Sequence, residues 1–158
     1  MLRETVARVA KQPGRTRALN FFLVNRRFYL VDLPGYGYAR VSQQLRAQWG
    51  RELRHYLLNQ GSLCGVMCLM DIRLGPTPLD LELQEFLRSS GRARLVVLTK
   101  ADKVGRGARA AMQLAVQRQL GLPTPPPTVS VHTGEGRREL LARVNEVLEE
   151  STERQRRE

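Results

Sequence analysis

Val31-Asp32-Leu33-Pro34-Gly35-Tyr36-Gly37-Tyr38-Ala39-Arg40 closes an apolar strand, Phe28-Tyr29-Leu30-Val31, and opens a loop with an acid and two glycines. An acid at the carboxyl end of a buried strand, followed by Pro-Gly, suits a bound phosphate and its metal. Asp32 can hold a water of hydrated Mg²⁺, and Gly35 lets a backbone N–H approach a phosphate with no Cβ in the way. The same residues also read as a strand and an ordinary Pro-Gly turn. The flanking sequence has to decide.

Upstream, residues 2–10 allow a short uncapped helix, and residues 11–17 form a basic loop with a Pro-Gly turn. Residues 18–24 read as a strand and Asn25-Arg26-Arg27 as a turn, so residues 18–31 form an antiparallel hairpin. Downstream, Ser42 is placed to cap a helix with Leu45, Trp49, Leu53, Tyr56 and Leu57 on one face, ending near Gly61. Residues 63–70 form a continuous apolar run, as in a strand buried on both faces, ending at Asp71. Thr77 and Pro78 start a second helix with Leu79, Leu83, Phe86 and Leu87 inward, stopped by Gly91.

Residues 95–98 form the next buried strand, followed by an Ala-rich helix over 108–120 closed by Gly121. A proline cluster leads into a short strand over 128–131 and a loop over 132–136. The last helix, from Arg137, turns Leu140, Leu141, Val144, Val147 and Leu148 inward, and the charged tail after Ser151 is expected to fray. After the hairpin the order is β-α-β-α-β-α-β-α, a doubly wound α/β layout with a mostly parallel sheet. Ligands in such sheets bind outside the carboxyl ends of the strands. Asp32, Asp71, Thr99–Asp102 and Ser130–His132 all fall at those ends.

Thr99-Lys100-Ala101-Asp102 fits the guanine-reading pattern [NT]-K-x-D. Guanine presents two adjacent donors, which a carboxylate can accept together, and a lysine stem can cover the base plane. The segment Thr128-Val129-Ser130-Val131-His132-Thr133-Gly134-Glu135-Gly136 suits the loop whose backbone N–H meets the guanine carbonyl; Ser130 agrees with that pattern, and Val131 and His132 depart from it.

With these motifs in order, the chain resembles the EngB (YihA/YsxC) family of bacterial ribosome-assembly GTPases. Pro13-Gly14-Arg15-Thr16, Asn20-Phe21-Phe22, the 30–39 stretch, Trp49-Gly50, residues 98–103 and Thr133-Gly134-Glu135-Gly136 carry the resemblance, from about Arg3 to Leu148. It implies GTP/GDP as ligand, Mg²⁺ as cofactor and the large ribosomal subunit or its RNA as partner, in the cytoplasm. It also implies a switch needed for normal growth and septation. Gly14, Arg15, Thr16, Arg17 and Ala18 would form the first switch loop, and Asp32, Leu33, Pro34 and Gly35 the second. Thr16 and Asp32 would serve the metal, Asp32 through water, and Gly35 would bond the γ-phosphate. Thr99, Lys100, Ala101 and Asp102, with Val129, Ser130 and Val131, would hold the base. Tyr36 stands where many GTPases carry a water-orienting glutamine, so no catalytic side chain is assigned.

The sequence contains no G-x-x-x-x-G-K-[ST]. The resemblance places that loop upstream of Met1, so the expected fold is a P-loop GTPase-like domain over residues 1–150. It would lack its first strand, phosphate loop and most of the first helix, and residues 151–158 would be a charged tail. A fragment, or a misassigned start at an internal methionine, is the favoured reading. A shortened relative that binds ribosomal RNA without GTP is one alternative, and direct pairing of the two orphaned strands is another.

Composition agrees with a single domain and a buried core at 158 residues and 42% hydrophobic content. The formal net charge of +11 favours a polyanionic partner, although nearly all of it is arginine scattered through every segment. A nucleotide-independent basic RNA- or ribosome-binding module is therefore the competing function. No apolar run reaches the ~18–20 residues of a membrane span, and no stable protein partner is implied. Cys64 and Cys68, about 13 Å apart along an extended strand, are expected to be reduced core residues. His55 and His132 are expected at the surface, and Asp71 as an ion-pair partner.

Overall fold

The computed structural model describes residues 20–33 and 43–157, the side chains of 43–49, 52 and 155 excepted. The chain forms two compact units, Met1–Gly61 and Ser62–Glu158. In the first, strands β1 (Asn20–Val24) and β2 (Phe28–Asp32) pair antiparallel, with Asn20 opposite Asp32 and Val24 opposite Phe28. The turn between them is tight because Asn25 and Arg26 adopt φ of 48° and 53°. Successive left-handed residues match the right-handed twist of the flanking strands. Helix α1 (Gln43–Asn59) follows, and of its described side chains Leu57 is buried. The expected cap Ser42 lies outside the described residues.

The second unit runs β3 (Val66–Asp71), α2 (Pro78–Ser89), β4 (Arg94–Thr99), α3 (Arg106–Leu120) and α4 (Arg137–Gln155). Strands β3 and β4 are parallel and in register from Val66–Arg94 to Asp71–Thr99. The crossover through α2 is what a parallel pair requires. Thr77 caps α2 reciprocally: its Oγ1 accepts from Asp80 N–H at 3.3 Å, while Asp80 Oδ2 accepts from Thr77 N–H at 2.8 Å. Such a box is worth about 1 kcal/mol. Gly91 and Gly121 follow the ends of α2 and α3 in the left-handed region, as the sequence predicts.

Val96, Val97 and Leu98 of β4 form the core with Cys68, Met70, Leu87 and Val116. Burying each of the larger aliphatic side chains contributes about 1.5–3 kcal/mol. Cys68 lies inside this core, where burial pushes its thiol up to about 11. Both cysteines are free, and Cys64 precedes β3 instead of lying on it.

Several expectations are corrected. Residues 63–70 are not one strand buried on both faces: β3 begins at Val66, and Leu69 is 59% exposed. Val66, Cys68 and Met70 alternate inward instead, because β3 pairs only with β4 among the described strands. Residues 128–131 are not a strand. A single bridge, Leu98 with Thr128, replaces it. The prolines before Thr128 cannot donate to a ladder, and after Thr99 the chain leaves the strand, so Ala101 N–H rather than a strand residue meets Val129 O. Helix α2 buries Asp80 and Gln84 beside Leu87, with Leu79, Leu83 and Phe86 half-buried. The capping pair holds Asp80, and Arg94 reaches the Gln84 side-chain oxygen at 3.3 Å, while Gln84 Nε2 finds no hydrogen-bond partner among the described residues. Leu141 is exposed, and α4 continues through the expected fraying point to Gln155. Its last turns are supported by Thr152 Oγ1 donating to Leu148 O and by buried Ser151.

Candidate functional site

In the second unit the polar ends of β3 and β4 and the 130–135 loop come together. At the end of β4, Thr99 Oγ1 donates to Met70 O at 3.0 Å and ties the two strand ends. Lys100 then turns left-handed, with φ 60° and ψ 37°, a conformation that costs a residue with a Cβ about 1 kcal/mol. A short 3₁₀ turn, Ala101–Lys103, follows. The turn sends Lys100 Nζ back to Asp71 Oδ2 at 2.9 Å and buries Ala101 completely.

Asp102 is the centre of the site. Its Oδ1 accepts from Ser130 Oγ at 2.7 Å, and its Oδ2 lies 3.2 Å from Lys103 Nζ. The Ser130 hydrogen bond, with Lys103 assisting, holds the Asp102 carboxyl below its ordinary range against the opposing effect of burial. Ser130 is 2% exposed, and its hydroxyl also accepts from Thr133 N–H at 3.2 Å, so its proton is directed at Asp102. The loop closes on itself through Ser130 N–H to Glu135 O at 3.1 Å and Gly134 N–H to Ser130 O at 2.9 Å. The outcome is an ionised, oriented carboxylate with lone pairs left to accept further donors.

Asp71 anchors the neighbouring corner. Arg73 grips it with Nη2 at 2.6 Å, Nε at 2.9 Å and its backbone N–H at 3.0 Å, and Lys100 adds a contact at 2.9 Å. Hydrogen bonds from Arg73 first, and then from Lys100, hold the Asp71 carboxyl far below the usual carboxylate range. A depressed folded-state pKa stabilises the fold above the unfolded value, about 3.9, and that stability is lost as pH falls through the folded value. Asp71→Asn is therefore expected to lower stability at pH 7 by a margin that shrinks below about pH 4. Urea midpoints of both proteins at pH 7, 5, 4 and 3 check this. A constant gap would sink the assignment.

The structure thus brings together Thr99, Lys100, Ala101, Asp102, Val129 and Ser130. Val131 belongs to the same loop but is 97% exposed, so its side chain packs on nothing and only its backbone is available to the site. Asp32 ends β2 in the first unit with an exposed side chain, followed by half-buried Leu33. Gly14, Arg15, Thr16, Arg17, Ala18, Pro34 and Gly35 lie outside the described residues. His132 is exposed, and His55 bonds Asn59 on α1, as expected of surface histidines. No group of three metal-ligating side chains comes together among the described residues.

The sequence reading missed Arg109 and Glu135. Arg109 bonds Ala101 O at 3.0 Å and pairs with Glu135. One signal was available: Arg106 and Arg109 open α3 where no acid balances them, against the preference of a helix start for negative charge.

A family model described as "50S ribosome-binding GTPase" matches residues 1–100. A probable GTP-binding protein EngB of Pelotomaculum thermopropionicum is 46% identical over 141 residues, 88% of this chain and 71% of the relative. The chain belongs to the EngB family. The Clostridium perfringens (strain SM101) EngB is 44% identical over 77% of the chain, and the Syntrophus aciditrophicus EngB is 41% identical over 94%. The chain spans 61% of the former relative and 76% of the latter. A crystal structure of a probable EngB matches with a TM-score of 0.77 at 19% identity, over 89% of this chain and 87% of that one. That likeness establishes the α/β, P-loop GTPase-like fold. No described helix is long and apolar enough to cross a membrane.

Proposed function

We propose that the chain reads guanine with Asp102 and belongs to a GTP-binding switch that acts on the large ribosomal subunit. The observation that carries this is the Ser130–Asp102 hydrogen bond, which fixes an ionised carboxylate between the turn after β4 and the 130–135 loop. Asp102 would accept the ring N–H and the exocyclic amine of guanine together. Lys100, drawn toward Asp71, would lay its stem along the base. The backbone from Val129 to Val131 would face the base carbonyl, with Thr99 and Ala101 fixing the turn.

Mg²⁺ would be served by Asp32 through water and by Thr16, with Gly14, Arg15, Arg17 and Ala18 beside it in the first switch loop. Leu33, Pro34 and Gly35 would form the second. Asp32 fits this role as an exposed, hard oxygen donor at a strand end. The ion would supply charge neutralisation at the phosphates. Within these 158 residues no G-x-x-x-x-G-K-[ST] occurs, so the chain's own contribution is base reading, and its nucleotide affinity is expected to be weak. The net charge of +11 suits a cytoplasmic role on RNA.

Titrating the isotopically labelled chain with millimolar GDP and ADP checks the reading by NMR. GDP is expected to shift the amides of Ala101, Asp102 and Ser130, and ADP to leave them in place. Equal responses would overturn guanine reading. Salt-sensitive RNA binding without any GDP response would leave the basic RNA module in its stead.

A further inference from the structure

We propose that Arg109 is a positioning residue for base recognition, clasping the Thr99–Lys103 turn to the 130–135 loop. The inference rests on the guanine-reading role of Asp102. Arg109 sits in the first turn of α3, where a cation opposes the helix dipole, so its placement needs an offsetting role. Its side chain is 16% exposed, unlike Glu135 at 49%, so the guanidinium is drawn in and not merely paired at the surface. Nη2 donates to Ala101 O at 3.0 Å, and Nη1 pairs with the Glu135 carboxylate. Its Nε finds no acceptor among the described residues, so the two Nη groups do the holding.

Those contacts bracket the recognition pair. Ala101 is covalently next to Asp102 and is held on both sides, its N–H by Val129 O and its C=O by Arg109. Glu135 uses its backbone oxygen to hold Ser130 N–H and its side chain to hold Arg109. Arg109 is thus a strut between the residue beside Asp102 and the residue bonded to Ser130. A planar fork suits this, because it can serve two acceptors at once in fixed directions. Without the strut the 131–135 loop keeps its internal bonds but can swing relative to the turn. The Ser130–Asp102 hydrogen bond is what such a swing lengthens.

The test uses Arg109→Met, Arg109→Lys and Glu135→Gln in the full chain. The first readout is preference for GDP over inosine diphosphate, which lacks the exocyclic amine. A loosened Asp102 is expected to lose about tenfold of that preference in Arg109→Met, with Arg109→Lys between it and wild type. The second readout is the ¹³C titration of the Asp102 carboxylate, whose midpoint is expected to rise in Arg109→Met and in Glu135→Gln. A merely structural arginine would lower the melting temperature and leave both readouts unmoved in the folded protein, which overturns the proposal. Should Arg109→Met fail to fold, Glu135→Gln tests the strut by the same two readouts from its exposed end. Should wild type show no preference for GDP, guanine reading fails. The Asp102 midpoint still decides the strut, supporting it if raised and refuting it if unchanged.

Discussion

Gly136→Ala is expected to destabilise the second unit by about 3 kcal/mol or more. Two costs combine at this position. The backbone has φ of 76°, and a Cβ there would sit 1.9 Å from Thr128 O and 2.9 Å from Thr128 C. The obstacle is main chain, so no rotamer change relieves it. Nor is Thr128 free to retreat, because it is buried and bridged to Leu98 in the core strand. Gly136 itself is tied to α4, its carbonyl accepting Leu140 N–H at 3.0 Å. Gly91→Ala separates the costs: its φ is 66° but a Cβ there meets nothing within 4 Å, so about 1 kcal/mol is expected. Urea unfolding followed by far-UV circular dichroism measures both. A Gly136→Ala loss no larger than that of Gly91→Ala would mean that the loop moves aside. If the loss is large, the glycine is what lets the loop bearing Ser130 and Glu135 lie against the core.

The site was legible in the sequence to the extent that its chemistry is local. Thr99-Lys100-Ala101-Asp102 occupies consecutive positions at the end of an apolar run, and Asn25-Arg26-Arg27 marks its hairpin in the same way. Contacts across long separations carried no periodic trace. The Arg109–Glu135 pair joins residues 26 apart on different elements, and the one local hint, a cation in the first turn of α3, names no partner. Burial was also misjudged where polarity stood for exposure. Asp80 and Gln84 lie inside, Asp80 held by a capping box and the Gln84 side-chain oxygen by Arg94, while Leu69 and Leu141 lie outside. Apolar runs report strand length more faithfully than they report which faces are covered. The 128–131 segment shows the same limit, since the preceding prolines reduce the expected strand to one bridge.

Asp102→Asn is expected to reverse the base preference, from guanine toward xanthine, changing the ratio of affinities by about 100-fold or more. A carboxylate offers acceptors to both the ring N–H and the exocyclic amine of guanine. Asparagine offers one acceptor and one NH₂, so it sets a donor against a donor, and the cost of an unmet buried group adds to the lost bond. Xanthine carries a carbonyl where guanine carries the amine, which the new NH₂ can serve. The surrounding network tolerates the change. Asparagine Oδ1 can still accept from Ser130 Oγ, whose own direction is set by Thr133 N–H. Lys103 loses its ion partner but is more than half exposed, so that ion pair contributes little to stability. Because the quantity is a ratio, it can be read at millimolar affinity by titrating labelled chain with GDP and with xanthosine diphosphate. Equal weakening for both nucleotides would show that Asp102 supports the fold of the loop without touching the base. Reversal of preference would place the carboxylate on the base edge, since complementarity of donors and acceptors is the only property the substitution inverts.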